Sequence, residues 1–380
     1  MKIQLHDNNK HLTFAPLTLT RPVGNIRLGI FTNDERWKKF FPNASIFFQT
    51  EDYLNDKFKS HSDAICINSC FIPNEELAVA VSHLSINEEL RCNGMWVAKI
   101  GEGDVKVDYT GKEPIYISER WDLFQKNAEI LIQDFNLITN SRNTVQLSST
   151  NTIIGNPNLI FLEKGAQVEA SILNTQEGPI YIGKDAEVME GSIVRGPLAL
   201  CEKSILKLGA KVYGGTTLGP YCKVGGEVNN VIFQGYSNKG HDGFIGNSFI
   251  GEWCNIGADT NASNLKNNYG EIKIYSYEKG DFEKTSLQFM GIFMGDHSKC
   301  SINTMFNTAT VIGVSCNVFG SQFAPKYISS FTWGMERDVF QFDKAIQSAN
   351  NMMKRRDKQL DEIDISILKY ISVNSFSDKK

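Results

Sequence analysis

Residues 182 to 224 read IGKDAEVMEGSIVRGPLALCEKSILKLGAKVYGGTTLGPYCKV. Within this stretch Ile182, Val188, Val194, Leu200, Leu206, Val212, Leu218 and Val224 recur at strict six-residue intervals. Four places after each stands Ala186, Ser192, Leu198, Ser204, Ala210, Thr216, Cys222 and Val228, most of them small. A helix repeats every 3.6 residues and a half-buried strand every 2, so neither produces this record. A short strand plus a corner per hexad does. Three hexads close a triangular coil with the aliphatic residue inside and the small residue at the corner, and stacked coils share one continuous core.

Outward from this stretch the register stops after Val228 and resumes with Phe244, Ile250 and Ile256, then again with Ile312 and Val318. The segments between, Asn229 to Gly243 and roughly Ala262 to Gly295, are expected as excursions from the coil, the places where repeat proteins build sites. Glycine follows the same division. Six of the 31 glycines precede residue 150 and the other twenty-five lie from Gly155 to Gly334. The polar segment 144–152 marks the border, giving units at 1–145 and 150–334. From 335 to 372 the chain lacks further glycine and proline, and Phe340, Ala345, Ala349, Met352 and Met353 fall at helical spacing. A terminal helix is expected there, with Lys354, Arg355 and Arg356 on its solvated face.

Composition removes several classes. A net charge of -4 and a pI near 5.9 supply no basic field for nucleic acid. No run approaches the roughly 18 apolar residues of a membrane span, and the start is polar, so the expectation is a soluble cytoplasmic protein. The eight cysteines form no CxxC pair, which fits core thiols. A three-histidine metal site on the coil is excluded, because the coil holds only His241 and His297.

The hexapeptide coil resembles the left-handed β-helix acyltransferases. More narrowly, Gly240-His241-Asp242-Gly243-Phe244-Ile245-Gly246, then Asn255-Ile256-Gly257-Ala258-Asp259-Thr260, then Asn264, resembles the acetyltransferase half of the bifunctional glucosamine-1-phosphate acetyltransferase / N-acetylglucosamine-1-phosphate uridylyltransferase family. The resemblance implies His241 as general base and Asn255 and Asn264 as residues of the sugar and acetyl-coenzyme A site. The family's sugar-phosphate arginine falls at Tyr213, and Asn268-Tyr269-Gly270 restores a displaced Asn-Tyr-x-Gly element, which puts Tyr269 in the site. It also implies a homotrimer. Independently, an imidazole with a reference pKa near 6.5 suits removal of an amine proton at neutral pH.

Before residue 145, apolar runs at Ser45 to Phe48, Ala64 to Asn68 and Met95 to Ile100 alternate with helical segments at Asp34 to Phe41, Glu75 to Leu84 and Trp121 to Asn136, the order of an α/β domain. Leu12 to Ile30 and Trp121-Asp122-Leu123 resemble a compact branch of sugar nucleotidyltransferases. With only Gly24 and Gly29 in the phosphate loop, Arg21 and Arg27 are the candidate nucleotide ligands, equally readable as structural ion pairs. The resemblance implies Mg2+, yet Asn68 occupies the usual aspartate position; Asp104, Asp108 and above all Asp122 are substitutes, and the metal ligands stay open. The expected function is acetyl transfer from acetyl-CoA to glucosamine-1-phosphate and uridylyl transfer from UTP, giving UDP-N-acetylglucosamine for the cell envelope. Two alternatives stand beside it: an acyltransferase for another amino sugar whose front domain binds nucleotide but catalyses weakly, and a non-enzymatic β-helical assembly module.

Overall fold

The structure is a computed structural model that describes residues 1–336 and 338–375. By packing, the chain divides into a front unit (Met1–Ile26 with Phe31–Asp122) and a second unit (Arg27–Ile30 with Leu123–Lys380). That division lies upstream of the compositional break near residue 150, and the two mark different things. The helix Asp122–Thr139 precedes the first coil strand but belongs with the coil: Asn127 Nδ2 donates to Gly215 O at 2.7 Å, and Asp134 Oδ2 accepts from Ile30 N at 2.8 Å.

The second unit is a left-handed parallel β-helix. Its strands stack parallel, each hexad above the hexad one coil earlier: Ile182 on Leu200, Val194 on Val212, Leu206 on Val224. All the periodic aliphatic residues from Ile182 to Val224 lie in one core cluster with Val228, Phe233, Ile245, Ile250, Ile256 and Met294. At about 25 cal/mol per Å² of apolar surface, each such side chain contributes roughly 1.5–3 kcal/mol, and no single coil could cover its own interior.

Two sequence expectations are corrected here. Asn229 to Gly243 does not leave the coil. The strands Glu227–Gly235 and Asn238–Lys239 continue it with shortened corners: Val228 stacks on Val212, Phe233 on Leu218 and Lys239 on Val224. Because the corners lose residues, the strict period of six fails and the interior residue of the next coil is Ile245, stacked on Val228, while Phe244 turns outward. The register break also reflects an identity, since the interior position on one face is a lysine. The second expected excursion does leave the coil. After Ala262 the chain projects an antiparallel hairpin, Lys273–Ser276 with Asp281–Lys284, and rejoins at Phe293–Met294.

The carboxy-terminal helix is two helices. Phe342–Met353 buries Ala345, Ala349 and Met353, a short 3-10 turn Lys354–Arg356 follows, and Asp357 adopts a left-handed backbone (φ 54°) that ends the first helix. Glu362–Asn374 then starts at Asp361, whose side chain accepts from Asp364 N at 2.7 Å.

The front unit is α/β. Its six-stranded sheet runs Ser45–Gln49, Lys2–His6, Ile65–Asn68, Met95–Lys99, Glu88–Cys92 and Val105–Asp108, with the first three strands parallel. Ile3, Leu5, Ile67, Val97 and Ala98 from the sheet pack with Trp37, Leu77 and Val81 from the helices Asn33–Phe40 and Glu75–Ser82. Glu35 Oε2 accepts from Thr32 N at 2.9 Å in a capping box, and Asn74 Oδ1 accepts from Leu77 N at 2.8 Å, so both helices start on satisfied donors. All eight cysteines are free, and burial pushes the thiols of Cys70 and Cys222 up to about 12, which makes them packing groups.

Candidate functional site

One face of the coil is the sheet that carries Val188, Leu206, Val224, Lys239, Ile256 and Cys300 inward. Side chains alternate along a strand, so the residue just before each interior position points out. The outward row therefore reads Lys223, Asn238, Asn255, Lys299, each stacked on the next. Beside this row lies a cavity of about 690 Å³ whose lining includes His241 and Asn255.

The charge around this cavity is one-sided. Lys207, Lys223, Lys299, Arg355 and Arg356 line it, and among the described residues no aspartate or glutamate does. Desolvation lowers the pKa of the Lys223 ammonium, and the like charges of Arg356, Lys207 and Arg355 lower it further against the opposing charge of Glu187. Unpaired cations crowded together are costly unless an anion sits among them. Asn238 adds a side-chain oxygen without a hydrogen-bond partner among the described residues. The Lys354-Arg355-Arg356 run, expected as solvated surface, brings two guanidiniums to this wall through the turn that ends the helix Phe342–Met353. Next to it, Tyr221, Tyr236 and Trp253 stack at successive corners, with ring centroids 4.9 and 4.3 Å apart. Lys358 lies 5.6 Å over the Tyr236 ring and ties the tail to that column.

The other candidates are placed elsewhere. Asn264 does not line this cavity; its Nδ2 donates to Asn247 Oδ1 at 2.8 Å. Tyr269, exposed and at φ 54°, lines a separate cavity of about 560 Å³ with Asn230, Asn247 and Gln288. The structure thus groups His241 with Asn255, and Tyr269 with the Asn247 that Asn264 holds. Tyr213 stands exposed on the strand Lys211–Tyr213, stacked on Asn229, and lines neither cavity.

In the front region the polar candidates are engaged locally. Arg27 is buried in the second unit, where Nε donates to Gln234 O at 3.0 Å, Nη1 to Ile30 O at 2.5 Å and its backbone N to Gln234 Oε1 at 2.8 Å. The guanidinium expected on a phosphate is committed to carbonyls of the coil unit. Arg21 is buried in the front unit with Nη1 donating to Asn25 Oδ1 at 3.3 Å. Asp122 caps the turn before its own helix: Oδ2 accepts from Ser118 N, Ser118 Oγ and Glu119 N at 2.7, 3.1 and 3.0 Å. Asn68 donates to Trp96 O and accepts from Cys70 N, both at 3.1 Å. Among the described residues no group of three or more His, Cys, Asp or Glu could hold a metal ion. Asn68 and Oδ2 of Asp122 are engaged within the protein and belong to no group of three ligands among the described residues, so these two side chains do not make a magnesium site. A cavity of about 670 Å³ in the front unit lies elsewhere, lined by Glu75, Glu76, His83, Glu88, Asp108 and Lys112 among others.

Residues 3–143 match the model of the sugar nucleotidyl transferase family. Bifunctional protein GlmU from Methanocaldococcus jannaschii is 30% identical over 118 residues, covering 31% of this chain and 28% of that protein. A bifunctional sugar-1-phosphate nucleotidylyltransferase/acetyltransferase from Sulfurisphaera tokodaii is 28% identical over 165 residues, covering 43% of this chain and 40% of that one. The chain is thus similar to the sugar nucleotidyl transferase family over its front part and to part of each of these two bifunctional proteins. It spans about three to four tenths of the length of these relatives. Among solved structures, the polysialic acid O-acetyltransferase OatWY (13% identity, 51% of this chain and 85% of that one, TM-score 0.23) and an Arabidopsis UDP-N-acetylglucosamine acyltransferase (11% identity, 56% and 77%, TM-score 0.23) are similar, and nothing functional rests on them. Among the described residues no helix is long and apolar enough to cross a membrane.

The sequence motif named His241 and Asn255, which line one cavity, but not the lysines beside them. The signal was present as a dipeptide pattern, Lys223-Val224, Asn238-Lys239, Asn255-Ile256 and Lys299-Cys300, in which a polar residue precedes each interior one. Arg355 and Arg356 had no such signal, since tertiary packing alone brings them to the coil.

Proposed function

We propose that the chain is a bifunctional sugar-nucleotide enzyme whose coil unit transfers an acetyl group from acetyl-CoA to the amine of a sugar phosphate, glucosamine-1-phosphate, and whose front unit transfers a uridylyl group from UTP, giving UDP-N-acetylglucosamine. The observation that carries the acetyl-transfer part is the cavity that joins His241 and Asn255 to five cations with no acid. Phosphates are what such a wall holds: guanidiniums pair with them bidentately, and ammonium groups add point charge. Lys207, Lys223, Arg355 and Arg356 would hold the phosphates of acetyl-CoA or of the sugar. Acetyl-CoA supplies the activated acyl group. His241 takes the proton from the amine as its nitrogen bonds to the thioester carbon, and returns it to the departing sulfur, so a free thiol and an amide result. Asn255 has an amide to donate to the carbonyl oxygen, where negative charge develops.

The engaged Asn68 and Asp122 favour a second reading, a front unit that binds nucleotide without catalysing, with the coil acting on another amino sugar. The test is a substrate panel that follows free thiol and pyrophosphate in parallel, with and without Mg2+. Thiol release with glucosamine-1-phosphate together with pyrophosphate release from UTP supports the bifunctional reading. Thiol alone moves the account to the second reading; neither product leaves an assembly module. A homotrimer belongs to the same proposal, and sedimentation of the whole chain at the monomer mass would remove it.

A further inference from the structure

Every interior position on the cavity-bearing face from Val168 to Val318 is aliphatic or cysteine except one. Lys239, stacked between Val224 and Ile256, is 1% exposed. Burying an ammonium costs several kcal/mol, a cost that an apolar residue there would not carry. The group has three donors, and each has a carbonyl: Gly225 O at 2.9 Å, His241 O at 2.8 Å and Asp242 O at 3.3 Å. Two of these belong to the turn that carries His241. Gly226 shows how closely the chain is drawn in, for a Cβ there would lie 2.7 Å from Lys239 Nζ and 2.8 Å from Asp242 Cα, at a φ of 68°.

Resting on the reading that this cavity transfers acetyl groups, we propose that Lys239 is a positioning residue for acyl transfer: its buried ammonium clamps the backbone of the His241-Asp242 turn from inside the coil and thereby fixes the imidazole at the cavity. Three acceptors need all three protons. A neutral amine offers two donors and points a lone pair at the third carbonyl, so the clamp works only while Lys239 is charged. Desolvation lowers its pKa to about 8, against the opposing charges of Asp242, Asp259 and Cys300, so that loss of the clamp falls within a measurable range.

The test compares wild type, K239M and H241A in thiol release from acetyl-CoA. With K239M, kcat should fall about 10–100-fold, since small misplacements of a reacting group cost up to about 10². KM for acetyl-CoA should stay within about twofold, and because the variant removes the desolvation cost of the ammonium but leaves its carbonyls without a donor, the melting temperature should move little. The ratio of wild-type to K239M kcat, in which substrate ionisation cancels, should decline above pH 8. A folded K239M with kcat within twofold of wild type overturns the proposal, as does a ratio flat across pH 7 to 9. Should K239M not fold, the imidazole resonance of His241 in wild type, assigned by its loss in H241A, decides: a second inflection near pH 8 supports the clamp, and a single titration overturns it. Equal thiol release by wild type and H241A would instead defeat the acetyl-transfer reading, and this inference with it.

Discussion

The front and second units dispose of their polar groups in opposite ways. In the front unit Asp122 caps a turn and Asn68 bridges Trp96 and Cys70, so both are engaged by the fold. On the coil, Lys207, Lys223, Arg355 and Arg356 converge on one cavity without a carboxylate in its wall. Polar residues that a fold consumes report on stability, whereas polar residues it leaves unneutralised report on a ligand. By this criterion the coil unit is the better supported site, even though the family model matches the front.

Mutations can break the contrast at different strengths. Truncating Leu218, fully buried in the stacked core, should cost about 2–5 kcal/mol. Differential scanning calorimetry should show the coil transition displaced and the front transition in place; a uniform shift would show that the two units unfold as one. Replacing Arg355 and Arg356 by alanine should raise KM for acetyl-CoA roughly 10–100-fold, at about 1.5–3 kcal/mol for hydrogen bonds to charged groups. KM for UTP should not move, and the salt dependence of acetyl-CoA binding should weaken. An unchanged KM in titrations at low salt would return these arginines to solvated surface. Asn74→Ala removes the cap of the helix Glu75–Ser82 and should cost about 0.5–2 kcal/mol in the front transition only, read by denaturant titration.

The buried lysine also predicts a pH dependence of stability. Lys239 keeps its proton up to about 8 when folded and near 10.5 when unfolded, so between those values the unfolded state binds more protons and stability rises with pH. K239M should lose that rise. Chemical denaturation at pH 8 and pH 10 checks it, and identical slopes in both proteins would contradict the burial of a charged Lys239.

The coil was legible because a strict period of six leaves little freedom: eight aliphatic residues fix three faces and a core. It became illegible where the period relaxed. Short corners between Val224 and Val228 and between Val228 and Phe233 broke the forward register, a five-residue interval from Ile245 to Ile250 moved the interior residue from Phe244 to Ile245, and Lys239 hid an interior position behind a charged name. His241 and Asn255 were readable from a local motif. Arg355 and Arg356 were not, because the left-handed Asp357 and the packing of Ala345, Ala349 and Met353 place them, and neither is written in a charge run. Arg27 misled for the same reason, since its partner Gln234 lies 207 residues away.

The central claim is that the coil cavity, through His241, performs acyl transfer independently of the front unit. It is tested most directly by following thiol and pyrophosphate release in one reaction for wild type and H241A with saturating glucosamine-1-phosphate, acetyl-CoA and UTP, and with N-acetylglucosamine-1-phosphate added so that uridylyl transfer does not wait on the first step. The account predicts that H241A loses about 10²–10⁴ in the rate of thiol release while pyrophosphate release is unchanged. Thiol release at the wild-type rate in H241A would contradict it.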